Sequence, residues 1–406
     1  MIDNPKRHVT MMALVTAVCL MGDSMLYIAL PIYWRELGLA SLWEVGILLS
    51  VNRFVRLPLS PLIGILYARM DKRWGLMISV ILAFLTTTSY GLLSGFAWWV
   101  VLRCLWGVAW TFLRIGAYLT ILDLSDERNR GALLGRYNGT YRLGSLVGML
   151  AGGFFADMYG LRSVALTLGI IALISLPLVW KYSSVPSQTS TVLKTPKVKG
   201  SLQVKFLFKG PSNVLFMIVT GLLVSMICEG MFTATLSHLV SLHVSSIFVA
   251  GVVVGATTVS GLLQAMRWGW SPWLSPWFGR KMDRTKSHGR LISIVLIAAA
   301  CCFAAIPLPL PFSVLLLFIV GILVSSTLLT TAIDTLVTNA ASSSFKVTII
   351  TLYTLTLDVG AALGPILGYS VDINVAFGAS ALILFVLAGV WLVKFRSKQS
   401  EHMSAQ

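Results

Sequence analysis

Four carboxylates and five arginines stand in stretches of chain that offer them little water. Asp23, Glu229, Asp334 and Asp358 lie inside long hydrophobic runs, as do Arg53, Arg56, Arg103, Arg114 and Arg142. A charge at the centre of a hydrocarbon layer costs about 2.5–3.5 kcal/mol on insertion scales, so each such group needs a partner or a polar cavity. A carboxylate in that setting can exchange a proton as its surroundings change, because desolvation favours its neutral form and a nearby guanidinium its anion. Asp23, near the middle of the first run, is the candidate proton-coupling group; the bland alternative is a static ion pair with Arg53, Arg56 or Arg114. Glu229, Asp334 and Asp358 are candidate cavity carboxylates. Arg53 and Arg56 are three residues apart and share a helical face, while Arg103 and Arg114, eleven apart, align after about three turns. Together with Arg142 these arginines outnumber the nearby carboxylates. That surplus favours a substrate carrying carboxylate or phosphate, which guanidinium grips in bidentate fashion; charge pairing between helices and headgroup contact compete with it. Arg136 and Arg267 lie close enough to span ends to snorkel and are set aside.

The elements that must hold these groups follow from composition. Of 406 residues, 57% are hydrophobic and only 11% charged, with a mean hydropathy of +0.85. Soluble domains carry about 25% charged residues, so a soluble protein is excluded. Runs of about 20 apolar residues, enough to cross a hydrocarbon core of about 30 Å, occur at approximately 9–34, 42–67, 74–94, 97–122, 132–158, 161–181, 213–241, 247–270, 290–307, 311–338, 346–370 and 374–395. The second, fifth and eighth carry prolines, glycines or charges and are expected to tilt or break. The first begins after Lys6-Arg7-His8 and is too long for a signal-peptide core, so it is read as a membrane helix.

The net charge is +16, and its placement gives orientation. With a cytoplasmic N-terminus, twenty-two of the 31 basic residues fall in cytoplasmic segments and only Arg35 and Arg162 outside. This bias puts both termini in the cytoplasm; a plasma (inner) membrane location is expected. The lysine-rich segment 182–212 carries no recognisable folded nucleic-acid-binding module, which argues against nucleic acid and for anionic lipid headgroups. Trp268, Trp270, Trp273 and Trp277 read as an interfacial belt. The five cysteines form no metal spacing and read as small core residues.

Segment 182–212 also divides about six spans from about six, and motifs recur across it. Gly144, Gly148 and Gly152 in the fifth span match Gly360, Gly364 and Gly368, with Pro365 beside the second glycine, in the eleventh. The loop Gly64…Ala68-Arg69-Met-Asp71-Lys72-Arg73 finds its counterpart in Gly279…Asp283-Arg284-Thr-Lys286. The expected organisation is residues 1–181 as one six-helix bundle, 182–212 as a cytoplasmic linker, and 213–406 as a second bundle with a short tail. Glycines four apart permit close backbone approach between membrane helices.

The string Gly135-x8-Gly144-x3-Gly148-Met149-x2-Gly152-Gly153 resembles the antiporter motif of the major facilitator superfamily, with Met149 replacing the motif's proline. The resemblance spans essentially the whole chain. The two basic loops resemble that family's gating motif, complete at Gly279, Asp283 and Arg284; the first copy has Gly64, Arg69 and Arg73 but Ala68 at the aspartate position, where Asp71 is a candidate substitute. Arg103-Cys-Leu-Trp106-Gly107 is similar to the family's arginine-x2-glutamine-glycine motif, implying a part for Arg103 in proton transfer or substrate positioning. Asp126-Glu127…Arg130-Gly131 is a weaker match. The family implies an all-α membrane protein with two pseudo-symmetric six-helix bundles around a central cavity. It assigns Gly64, Arg69, Asp71, Arg73, Gly279, Asp283, Arg284, Gly144, Gly148, Gly152, Gly360, Gly364 and Pro365 to conformational gating.

No GxxxxGK[ST] loop, HExxH helix or GxSxG elbow occurs, which argues against a nucleotide-driven motor of that type and against a hydrolase. The expectation is a secondary transporter without cofactor, not an enzyme. It would use alternating access and a proton gradient to export a small amphipathic or anionic compound, and act as a monomer in the bilayer. An importer or uniporter of organic anions or organic phosphates is the alternative within transport, and a non-transporting membrane sensor or assembly subunit the alternative outside it.

Overall fold

The computed structural model describes residues 4–125, 129–183, 212–244, 247–249, 252–285, 287–340 and 346–404. Most of segment 182–212, the motif residues Asp126 and Glu127, and Lys286 lie outside them. The helices are α1 (Pro5–Tyr33), α2 (Leu42–Tyr67), α3 (Lys72–Tyr90), α4 (Phe96–Leu124), α5 (Arg130–Leu173) and α6 (Ser175–Tyr182). There follow α7 (Ser212–Val224), a π-helical segment (Ser225–Phe232), α8 (Thr233–Ser241), α9 (Ala256–Arg284), α10 (His288–Ala305), α11 (Phe312–Ala340), α12 (Lys346–Ser370) and α13 (Ile373–Ser404).

Each predicted span finds a helix. Helix α5 holds the fifth span and the start of the sixth, separated at Gly160, whose φ of 76° is open to glycine but strained for other residues. Helix α2 runs unbroken through Pro58 and Pro61. Among the described residues, eight stretches are long and apolar enough to cross a membrane by length and composition; one of them, Ala132–Tyr182, runs through the Gly160 kink. Two boundaries differ from the sequence reading. The eighth span does not begin at 247, because Ile247–Val249 and Val252–Val254 pair as antiparallel strands β1 and β2, with Ile247 opposite Val254. This run is dominated by β-branched residues, which favour extended backbone. The helix starts at Ala256 and continues through Pro272 and Pro276 to Arg284, so Gly279, Asp283 and Arg284 belong to a helix and not to a loop.

The residues fall into two compact units. The first comprises Met1–Val198 and Leu236–Trp268, the second Lys199–Thr235 and Gly269–Gln406. Residues 236–268 thus pack with the first unit, although they follow segment 182–212 in sequence. In the first unit, α5 lies directly on α1: a Cβ on Gly144 would sit on the Ala17 carbonyl, one on Gly148 on the Met21 carbonyl, and one on Gly152 on the Met25 side chain. The second unit repeats the arrangement. There Gly360 and Gly364 of α12 face the carbonyls of Leu222 and Met226, and Gly368 faces Met231. The two glycine series are therefore close-packing surfaces, each for the first helix of its own half.

Around these contacts the cores are aromatic. Trp106 and Trp110 of α4 pack with Met12, Val15, Leu76, Val80 and Val179, while Phe232, Phe303 and Phe377 form a ring cluster in the second unit. The outside is apolar too, with Leu382, Phe385, Val386 and Val393 all exposed on α13, as a lipid-facing surface requires.

Candidate functional site

Asp23 of α1 and Arg103 of α4 form an ion pair. Arg103 is wholly buried and Asp23 only 5% exposed. The guanidinium also donates from Nε to the Leu48 carbonyl of α2 at 2.8 Å, so one side chain ties three helices together. Tyr90, fully buried and stacked on Trp99 with ring centroids 4.9 Å apart, lies within electrostatic reach of the pair. The partner of Asp23 is thus Arg103, and not Arg53, Arg56 or Arg114. The two proton-coupling candidates come together as one unit.

The other arginines share a feature that spacing did not reveal: each lies against an aromatic ring. The Arg53 guanidinium is 5.9 Å from the Tyr27 ring centre and donates from Nε to the Tyr27 hydroxyl at 3.4 Å. Arg56 is 5.3 Å from Trp110, Arg114 is 5.8 Å from Tyr118, and Arg142 is 5.5 Å from Trp268. A guanidinium over an aromatic face is attracted by the ring quadrupole. Arg53, Arg56 and Arg114 are half-buried and Arg142 is exposed. Arg267 departs from expectation, since it is buried, 6% exposed, with its guanidinium 5.6 Å from the Trp268 ring. It does not snorkel. Arg136 is exposed and donates to Thr10 Oγ1 at 2.6 Å.

The acidic candidates lie in the second unit. Asp334 of α11, exposed, accepts a hydrogen bond of 2.6 Å from the Tyr353 hydroxyl of α12. Glu229, half-buried in the π-helical segment, lies within electrostatic reach of that hydroxyl. Tyr353, itself only 5% exposed, is a residue the sequence reading missed, because an aromatic in an apolar run carries no signal of its own. Asp358, also on α12, is half-buried. π-Helical segments inside helices are frequently found at functional sites, and this one, which bears Glu229, is anchored by a 2.8 Å bond from Ser225 Oγ to the Leu357 carbonyl.

At the basic loop, Asp71 caps its own helix, accepting from the Arg73 amide at 3.0 Å. The guanidinium of Arg73 lies 4.4 Å from the Trp180 ring centre. Lys72 forms an ion pair with Asp123 at the far end of α4, a contact the motif comparison did not anticipate. Arg69, Asp283 and Arg284 are exposed. Gly64 and Gly279 have no close neighbours over their α-carbons. The cysteines are free; Cys19 and Cys228 are buried, but Cys301 is exposed, so the core reading fails there.

Comparison with known proteins agrees with this architecture. A family model for the Major Facilitator Superfamily matches residues 12–365. The multidrug resistance protein MdtG of Klebsiella pneumoniae (strain 342) is 27% identical over 376 residues, covering 89% of this chain and 85% of that protein. MdtG of Yersinia enterocolitica (serotype O:8 / biotype 1B) is 25% identical over 400 residues, covering 93% and 91%. Among solved structures, a bacterial homologue of the human lysosomal transporter Spinster, inward-facing and occupied, superposes with a TM-score of 0.75 at 14% identity, covering 97% of this chain and 98% of that one. The peptide transporter POT in complex with sulfate superposes with a TM-score of 0.76 at 13% identity, covering 96% and 94%. With its apolar helices, paired glycine series and membrane-embedded charges, the chain is a multi-pass integral membrane protein and belongs to the Major Facilitator Superfamily.

Proposed function

We propose that this transporter exports a small amphipathic or anionic compound, a drug or an endogenous metabolite, in exchange for protons. The observation that carries the reading is the buried Asp23–Arg103 pair. Protonating Asp23 leaves Arg103 cationic and without its counter-ion in a low-dielectric setting, an arrangement costly enough to force the helices it joins to rearrange. A proton reaching Asp23 therefore acts on α1, α2 and α4 together. Export is supported by relatives that carry the name multidrug resistance protein, and an anionic or amphipathic substrate by the arginines backed by aromatic rings.

Both termini face the cytoplasm of a plasma (inner) membrane, because basic residues concentrate in the segments on that side. The chain works as a monomer, binds no nucleic acid and uses no cofactor, its energy coming from the proton gradient. The two halves, 1–181 and 213–406, joined by 182–212, are the repeats that alternate access. The test compares metabolites in knockout and parent cells and then follows the accumulating compound in inside-out vesicles. Uptake driven by an acidic interior is expected; uptake indifferent to that gradient, or accumulation in the parent and not the knockout, overturns the proposal.

A further inference from the structure

Asp157, near the end of the glycine string on α5, plays no part in the account so far, yet its carboxylate makes four hydrogen bonds. Oδ2 accepts from the Gly255 amide at 2.9 Å, the Thr258 amide at 2.8 Å and the Thr258 hydroxyl at 2.5 Å. Oδ1 accepts from the Thr257 hydroxyl. These donors form the first turn of α9. A helix start leaves its first amides without intrahelical partners, and a side-chain oxygen at the capping position normally serves them. Here that position is Gly255, which has no side chain, and a Cβ there would collide with the Asp157 carboxylate. The cap is supplied from a residue 98 positions earlier in the chain. Its negative charge also faces the positive end of the α9 dipole.

The surroundings reinforce the contact. A Cβ on Gly153 would strike the Thr257 carbonyl, and one on Gly261 the Met149 carbonyl, so α5 and α9 touch backbone to backbone at two points about one turn apart. The Tyr33 hydroxyl donates to the Ala156 carbonyl at 2.8 Å, fixing α1 to the same place. Three residues beyond Asp157, Gly160 ends the straight part of α5.

We infer that Asp157 is a positioning residue for transport: a latch that holds the start of α9 against the end of α5 and keeps the non-cytoplasmic end of this contact shut. The inference rests on alternating access, since a transporter must open that end in part of its cycle, and on the side assigned to it by the charge bias. The burial of Ser260, 0% exposed one turn into α9, provides a reporter.

With the five native cysteines replaced, S260C is labelled in intact cells by a membrane-impermeant maleimide added outside. In the protein with Asp157 intact, labelling is expected to be slow, because Ser260 is buried. D157A should raise its rate about tenfold or more, as loss of a charge-assisted contact of this kind shifts a two-state population. T257V/T258V, which keeps the two amide bonds, should raise it by a smaller factor and reads the same contact if D157A fails to reach the membrane. An unchanged rate in the variant that is present at parental level overturns the inference. Labelling needs neither substrate nor proton gradient, so this result stands or falls apart from the export proposal.

Discussion

Burial sets how much Asp23 and Arg103 matter. An ion pair removed from water is strongly destabilised when only one partner is deleted, by about 3–5 kcal/mol, because the other charge is left uncompensated. D23N and R103Q should each lower the thermal midpoint of the detergent-solubilised protein markedly, whereas D23N/R103Q, which removes both charges, should lose less than the sum of the two. Equal additive losses would mean that the pair does not act as a unit. The arginines over rings make a different prediction. If they bind substrate anions, R53Q and R114Q should each weaken an anionic substrate by roughly tenfold, the worth of one charge-assisted bond, and leave cationic compounds nearly unchanged; competition binding measures this. Asp23 stands out as a carboxylate inside an apolar run and Arg103 through its motif, each separately. Their pairing was not legible, since 80 residues separate them and only the register of α1 against α4 brings them together. Arg267 was misread for the same reason: nearness to a span end suggests snorkelling, but Trp268 and the surrounding helices enclose the side chain.

Among the helices, the glycine series were legible as close-approach surfaces, and the structure supplies what they approach. Gly148 abuts the Met21 carbonyl, and Gly364 abuts the Met226 carbonyl and the Met231 amide. These are backbone atoms that cannot swing aside. G148L and G364V should therefore abolish a monodisperse peak in size-exclusion chromatography, while G64L, with no neighbour near its α-carbon, should leave it intact. At the kink, G160A places a methyl group on a backbone of φ 76° and ψ 159°, a region essentially reserved to glycine, and should cost about 1–3 kcal/mol of thermal stability. The element read least well was the eighth span. A run such as 247–254 is apolar enough for a membrane helix, yet its β-branched residues pair as strands, and hydropathy alone does not separate those outcomes. Asp157 escaped for a related reason. Its role depends on a glycine at the start of a helix that lies far along the chain, and no local pattern joins them.

Taken whole, the chain carries its arginine candidates in the first unit and its acidic candidates Glu229, Asp334 and Asp358 in the second. The twelve spans, the internal repeat and the orientation bias follow from composition and periodicity, because the bilayer constrains length and apolarity severely. The substrate does not, because a few side chains of a folded cavity choose it. The central claim is that proton movement is coupled through Asp23, and it is tested most directly in proteoliposomes by separating exchange from concentrative transport. D23N is expected to retain substrate counterflow at equal pH on both sides while losing accumulation driven by an imposed pH gradient. Accumulation by D23N equal to that of the parent protein under the same gradient would contradict the account.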